Sequence, residues 1–282
     1  MTSDLEPPLV LIVDDDTDTR ELYRLVLESV GYRVEDAGTV SSATAVLSRL
    51  VPDVVLTDWL LPDGNGLDVC RALGCRVSTR QVPVVAVTGV TLDGGLAGPA
   101  DCPGMVTVLQ KPAEPDAILA GVRHAVDIGL ERRLRAAAAR AKRYAAKVRR
   151  RTPRPEDSCR REAETLLQRA AARSGETVTL MIADDQAHYV AASGPTRQLT
   201  GYDANELSAL SVWDLTPLPN LAEGQGLWQQ FIAKGTQEGL YRLQHRDGRW
   251  VEARYVALAN IAPGWHLSAI AEASDISSSL GP

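Results

Sequence analysis

The stretch Val54-Val55-Leu56-Thr57-Asp58-Trp59-Leu60-Leu61-Pro62-Asp63-Gly64-Asn65-Gly66 decides the fold. Its apolar, β-branched run stops abruptly at Thr57-Asp58, and a Pro/Gly/Asn-rich turn follows. The pattern is that of a buried strand delivering one carboxylate to the edge of a sheet. Reactive and ligand-binding groups of open α/β sheets gather beyond the carboxyl ends of the strands. Asp58 is therefore the candidate reacting residue, and the next question is which strands bring partners to it.

Leu9 to Val13 is a second short apolar run, closed by Asp14-Asp15-Asp16, and reads as a buried parallel strand. Thr17 to Val30 carries Leu22, Leu25, Val26 and Ser29 at helical spacing and stops at Gly31, which predicts a helix with a glycine end. Further strands are expected at Arg33–Ala37, Val84–Val87 (ending in Thr88-Gly89) and Val106–Leu109 (ending before Lys111-Pro112), with helices at Ser41–Leu50 and Leu67–Leu73. This alternation predicts a doubly wound α/β fold with a five-stranded parallel sheet. Asp14, Asp15, Asp58, Thr88 and Lys111 then share one sheet edge. Carboxylates converging in one cleft repel each other unless a cation neutralises them, and hard oxygen donors with open positions favour Mg²⁺.

On Val13-Asp14-Asp15, Asp58 with Pro62 and Gly66, Thr88-Gly89 and Lys111-Pro112, residues 9 to about 127 resemble the receiver domain of two-component response regulators. The resemblance implies that Asp58 accepts a phosphoryl group from a histidine kinase or phosphotransfer protein. It implies that Asp15, Asp58 and the Leu60 backbone carbonyl bind Mg²⁺ with Asp14 acting mainly through water, that Thr88 and Lys111 hold phosphoryl oxygens, and that Lys111-Pro112 is cis. Three departures stand out. Val108 occupies the position of the family's aromatic switch residue, and Thr91 to Gly104 is too rich in Gly and Pro for a full helix. Leu60 and Val90, both apolar, stand two residues after Asp58 and Thr88, where they neither orient nor admit an attacking water, so slow autodephosphorylation is expected.

Beyond Pro115, which suits a first helical position, Ile118, Leu119, Val122 and Val126 share a face. The pattern continues through Leu130, Leu134, Ala137, Ala141, Tyr144 and Val148 as a heptad seam. A helical linker that dimerises the protein is expected over 128–173, between a receiver at 1–127 and a last domain at 174–282. The linker carries ten Lys/Arg and one acid between Glu131 and Arg151, a net of +9 within a chain of net charge −6. With no helix-turn-helix or zinc motif beside it, a solvated helix surface is favoured over nucleic-acid or membrane binding. Thr152-Pro153-Arg154-Pro155 ends this helix, and a second one, Glu156 to Arg173, carries Cys159, Ala163, Leu166 and Ala170 on one stripe.

The remaining residues predict an antiparallel sheet with helices on one side: strands at 177–183, 187–192, 239–244, 249–258 and 265–273, a helix at 227–233, and a hairpin at Arg246-Asp247-Gly248. Leu199-Thr200-Gly201-Tyr202 with Glu206-Leu207, Arg246-Asp247-Gly248-Arg249 before the Trp250 strand, and Asp275-Ile276-Ser277 resemble a PAS domain, although Ser193 stands where that family has Asn. The resemblance leaves the ligand unknown. No cysteine lies beyond Cys159, which excludes a flavin–cysteinyl adduct. His188, His245 and His266 read as structural, against haem, and Trp213, Trp228, Trp250 and Trp265 as core or interface.

Composition sets the outer bounds. At 282 residues there is room for about two domains of roughly 100–200 residues each. No apolar run approaches a membrane span, and the acidic N-terminus lacks signal-peptide blocks, so a cytoplasmic location is expected. Cysteines 70, 75, 102 and 159 have no paired spacing and read as free thiols rather than a zinc site or disulfide framework. The combined expectation is a non-enzymatic response regulator, a homodimer with an unidentified downstream protein partner. Its alternatives are a PAS-based small-molecule sensor with the receiver as dimerising or phosphate-sink module, and a polyanion-binding regulator acting through helix 131–151.

Overall fold

A computed structural model describes residues 7–89, 102–148, 156–171 and 177–273. The chain divides into two compact units, Leu5–Leu130 and Glu131–Ser274. In the first, strands β1 (Leu9–Val13), β2 (Arg33–Ala37), β3 (Val54–Asp58), β6 (Val84–Thr88) and β7 (Met105–Gln110) form a sheet in the order β2-β1-β3-β6-β7, with a small ladder of β4 (Leu60–Leu61) and β5 (Gly64–Asn65) beyond β3. All pairs in the large sheet are parallel. Its order reverses between β1 and β3, the crevice where α/β sheets bind ligands.

Strand side chains alternate between two cores. Leu11, Val13, Val55, Val84 and Ala86 face α2 (Val40–Arg49) and α3 (Gly66–Gly74) on one side. Val10, Ile12, Val54, Leu56, Val85 and Val87 face α1 (Thr17–Ser29) and the first turns of α4 (Pro115–Val148) on the other. Burial on both faces explains why these strands read as continuous apolar runs.

Helix α1 forms where expected but buries a different stripe. Tyr23 and Leu27 enter the core, whereas Leu22 and Leu25 are 49% and 61% exposed. Cys70 and Cys102, expected as free thiols, are both buried and form a disulfide, while Cys75 is free and exposed. The helix considered between Thr91 and Gly104 falls on residues 90–101, outside the described residues, and 102–104 lead into β7 through a turn. Val90, the end of the linker helix at 149–155 and the closing Asp275-Ile276-Ser277 also lie outside them.

Helix α4 continues without a break past residue 130. Gly129, inside it, lets the backbone approach Pro83, whose Cδ and Cγ would lie 3.2 Å from an added Cβ. Leu130, Leu134, Ala137 and Ala141 of the predicted seam are each at most 4% exposed and Tyr144 is half-buried, while the Val148 side chain lies outside the described residues. A partner helix could reach the four buried positions only by displacing what already covers them. No described helix is long and apolar enough to cross a membrane.

In the second unit α5 (Glu156–Ala171) buries Ala163, Leu166, Leu167 and Ala170. Strands β8 (Thr179–Ala183), β9 (Tyr189–Ser193), β10 (Thr236–Gln244), β11 (Trp250–Ala262) and β12 (Trp265–Glu272) form an antiparallel sheet in the order β10-β11-β12-β8-β9. Short helices α6 (Thr196–Thr200) and α7 (Ala204–Leu207), 3-10 turns at Val212–Leu215 and Leu218–Asn220, and α8 (Leu221–Lys234) connect β9 to β10. The hairpin expected at Arg246-Asp247-Gly248 joins β10 to β11, with Gly248 at φ +92°. Arg135 of α4 pairs with Glu238 of β10, and Glu131 with Arg254 of β11, both at 3.0 Å.

Candidate functional site

The site lies beyond the carboxyl ends of β1, β3, β6 and β7. β1 ends in the acidic triplet, whose members separate by role. Asp16 caps α1, its Oδ1 accepting from the N–H groups of Asp18 and Thr19 at 2.8 and 3.1 Å, the usual task of an N-cap carboxylate. Asp14 is almost wholly buried and Asp15 is exposed. One oxygen from each of Asp14, Asp15 and Asp58 lies within 4.8 Å of the others.

Lys111 binds two of these carboxylates. Its Nζ donates to Asp14 Oδ2 at 2.7 Å and to Asp58 Oδ2 at 2.6 Å. Burial works against the ammonium charge, but the hydrogen bonds to Asp14 and Asp58 outweigh it and raise the Lys111 pKa. Burial also raises the Asp14 pKa, with Lys111 and the Asp16 N–H pulling it partly back. Asp58 presents a side chain only 12% exposed, and its Oδ1 accepts from the Leu60 N–H at 3.1 Å. An all-oxygen set of three carboxylates that already attracts a cation fits Mg²⁺.

Thr88 ends β6, one residue beyond the Asp58–Val87 pairing, and is buried. Its carbonyl accepts from the Lys111 N–H at 2.8 Å, and the Lys111–Pro112 peptide is cis. Among the described residues the atom nearest to a Cβ added at Gly89 is Lys111 Cβ at 3.9 Å, so on that side space remains beside Thr88. Leu60 directs its side chain to solvent, 50% exposed, and Val108 is 37% exposed. Four of the sequence-predicted polar residues thus converge directly, Thr88 adjoins them through Lys111, and Val108 and the α4 seam lie outside the cluster.

Two supporting residues escaped the sequence reading. Arg20 Nη1 donates to the carbonyls of Asp14 and Asp15 at 2.7 and 3.1 Å, holding the acidic turn; its place one turn into α1 was the available signal. Asp63 accepts from the N–H groups of Val40 and Ser41 at 2.7 and 2.9 Å and from the Ser41 hydroxyl at 2.7 Å. The Ser41 hydrogen bonds hold its carboxyl below the ordinary range. It thereby fastens the loop after Asp58 to the start of α2.

In the second unit, His188 is exposed, His245 lies 2.8 Å from Asp247, and His266 is buried with Nε2 2.9 Å from Asp185 Oδ1 and Nδ1 accepting from the Asn260 N–H at 3.3 Å. Both His266 nitrogens are engaged, which leaves neither for an axial haem bond. Trp250 is 49% exposed with Arg242 stacked 5.5 Å from its ring centre. Trp213 and Trp228, expected as core or interface, line a cavity between α8 and the sheet.

Residues 10–123 match the response regulator receiver domain family. The DNA-binding response regulator MtrA of Mycolicibacterium smegmatis is 36% identical over 118 residues, 40% of this chain and 48% of that protein. The phosphate regulon transcriptional regulatory protein PhoB of Klebsiella pneumoniae is 38% identical over 79 residues, 28% of this chain and 34% of that one. The match therefore spans about half or less of the length of these relatives. Among solved structures, the receiver domain of sensor histidine kinase PA1611 from Pseudomonas aeruginosa PAO1, with magnesium in its active-site cleft, is 25% identical at a TM-score of 0.40, covering 43% of this chain and 98% of that one. The N-terminal unit is a response regulator receiver domain.

Proposed function

We propose that Asp58 is the phosphoacceptor of a two-component phosphorelay and that the chain is a response regulator whose C-terminal unit carries the output. The observation that carries this reading is the Lys111 ammonium joined to both Asp14 and Asp58 beside a third carboxylate. An Asp58 oxygen attacks the phosphorus of a phosphohistidine on a histidine kinase or phosphotransfer protein, the new P–O bond forming as the P–N bond breaks. The attack brings an anion toward an anion, so charge compensation limits the rate. Lys111 supplies one positive charge, and the Leu60 N–H orients one oxygen of the attacking carboxylate. Gly89 leaves room for the incoming group. Mg²⁺, held by Asp15, Asp58 and the Leu60 carbonyl with Asp14 alongside, would neutralise phosphoryl oxygens when bound.

The order of the antiparallel sheet, with Leu199 to Tyr202 and the Arg246–Gly248 hairpin, supports reading residues 177–273 as PAS-like. Phosphorylation then biases α4, and the PAS-like unit changes its contacts with a downstream protein, in the cytoplasm and with no catalytic output beyond the receiver's own phosphoryl chemistry. MtrA is named as DNA-binding, but that name describes a protein matched over its receiver portion. Protein contact therefore remains the favoured output, with homodimerisation through surfaces other than the buried seam. The cavity beneath α8 favours a second reading, in which this unit senses a small molecule and the receiver responds to it.

The test is incubation of the full chain with radiolabelled acetyl phosphate and Mg²⁺, beside Asp58→Ala. Label on the wild type that is lost in Asp58→Ala and on removal of Mg²⁺ is expected. Equal label on both proteins would overturn the assignment of Asp58.

A further inference from the structure

The cavity in the second unit lies between α8 and the sheet, has a volume of about 100 Å³, and is lined by Tyr189, Trp213, Trp228, Phe231, Tyr255 and His266 among others. Its chemistry narrows what it can hold. Among the described residues no Asp, Glu, Lys or Arg contributes to the wall, so a charged guest would lose its hydration without a counter-charge. Trp228 sits at the centre of edge-on aromatic contacts, with ring centres 6.0 Å from Trp213, 5.6 Å from Phe231 and 5.4 Å from His266. Such a wall offers both ring faces and ring edges to a further aromatic ring.

Polar groups are few and specific. Tyr189 is only 6% exposed, and its hydroxyl has no hydrogen-bond partner among the described residues. Burial raises its pKa far above the ordinary phenol range, so it is a proton donor at neutral pH. The Gln237 side chain also lines the cavity without a side-chain partner among the described residues. The Tyr241 hydroxyl, by contrast, is committed to Thr216 Oγ1 at 3.0 Å. A guest oxygen beside Tyr189 would give that hydroxyl an acceptor.

Volume fixes the scale. An apolar cavity of about 150 Å³ holds a benzene ring and one water needs roughly 10–15 Å³. A cavity of about 100 Å³ is smaller than the one that holds benzene, so a single ring is the upper limit and enters only as the lining side chains move outward. It is far too small for haem or a flavin.

We propose that this cavity binds a small, neutral, single-ring aromatic molecule carrying one hydroxyl or carbonyl group, which accepts a hydrogen bond from Tyr189. The assignment deepens the PAS-like reading of the unit, on which it rests, and does not depend on Asp58.

Phenol, benzene and benzoate serve as probes in calorimetric titrations of the full chain, with melting temperature as a second readout. Phenol is expected to bind with a dissociation constant below about 1 mM, benzene about tenfold more weakly for want of the hydrogen bond, and benzoate not at all. Tyr189→Phe, which keeps the ring, should erase the difference between phenol and benzene. Ala257→Leu, which fills the cavity from β11, should abolish phenol binding in a chain that melts no lower than the wild type. Asp58→Ala should bind phenol normally and take no phosphoryl label, so a failure at one site is read separately from a failure at the other. A folded wild type that neither takes up phenol nor gains melting temperature at 10 millimolar, benzoate binding as tight as phenol, or undiminished phenol binding by Ala257→Leu would each overturn the proposal.

Discussion

Gly66→Ala should damage the receiver from behind Asp58. A Cβ built on Gly66 falls 2.6 Å from Trp59 Cε3, 3.0 Å from Cζ3 and 3.2 Å from the Asp58 carbonyl oxygen. Carbon atoms normally rest about 3.5–4.0 Å apart, so the overlap with the indole approaches 1 Å. Trp59 is 2% exposed and belongs to the packed core on that side of the sheet, which leaves its ring little room to retreat. The third contact is backbone. Gly66 cannot simply move back, because its N–H donates to the Trp59 carbonyl at 3.0 Å. Overpacking of this kind costs about 2–3 kcal/mol, a fall of roughly 8–12 °C in the melting temperature of the receiver. Gly74→Ala is the matched control in the same helix: nothing lies within 4 Å of its added Cβ, and a gain of about 0.4–1 kcal/mol is expected. Thermal unfolding followed by circular dichroism compares the three proteins, and labelling by acetyl phosphate shows whether displacement of Trp59 reaches Asp58. A Gly66→Ala protein that melts within about 1 °C of the wild type would refute the overpacking against Trp59.

Lys111→Met removes the positive charge held between Asp14 and Asp58 and should slow labelling about 10²–10³-fold at saturating Mg²⁺; an unchanged initial rate would dismiss its role. Leu60→Asn should shorten the lifetime of phosphoryl label on Asp58, which is expected to persist for minutes or longer in the wild type, and decay within seconds in the unaltered chain would defeat that expectation. Cys70→Ala opens a bridge of sequence separation 32 and should lower stability in denaturant by about 4 kcal/mol under oxidising conditions, with reductant bringing the wild type down to the variant. Glu272 is half-buried, and burial raises its pKa against the weaker pull of Arg249 and His245. Its folded pKa lies above its unfolded value, so its contribution favours folding most at low pH and is lost as pH rises above about 4.5. Glu272→Gln should therefore stabilise the chain at neutral pH, by less than about 1 kcal/mol at this exposure, and give no benefit at pH 4; a gain that is the same at both pH values would contradict the sign.

The receiver was legible because its chemistry sits where apolar runs stop. Each strand declares its end by a change from β-branched residues to Asp, Thr or Lys, and a parallel sheet collects those ends on one edge. The buried face of α1 was not legible. Leu22, Leu25, Val26 and Ser29 satisfy helical spacing, but so do Tyr23, Leu27 and Val30 one position over, and only docking onto Val10, Ile12 and Leu56 selects the second stripe. The Cys70–Cys102 bridge was hidden for a related reason: neither residue has a telling neighbour, and α3 and the turn before β7 meet only once the sheet is assembled. Heptad spacing located the buried residues of α4 without revealing what covers them. The cavity was invisible because each of its walls, taken alone, reads as ordinary core.

Asp63 gives the acidic site around Asp58 a mechanical character. The loop from Trp59 to Asn65 is pinned at one end by the Trp59 N–H to Val87 and by Gly66 to Trp59, and in its middle by the Asp63 carboxylate on the first turn of α2. Those anchors hold the Leu60 N–H at Asp58 Oδ1, so a phosphodonor, on the function proposed above, would meet a loop already ordered. The same anchors tie the loop to α2 through Asp63 and to β6 through Val87, the residue next to Thr88, so the loop after Asp58 and the Thr88–Lys111 pair hang on one strand.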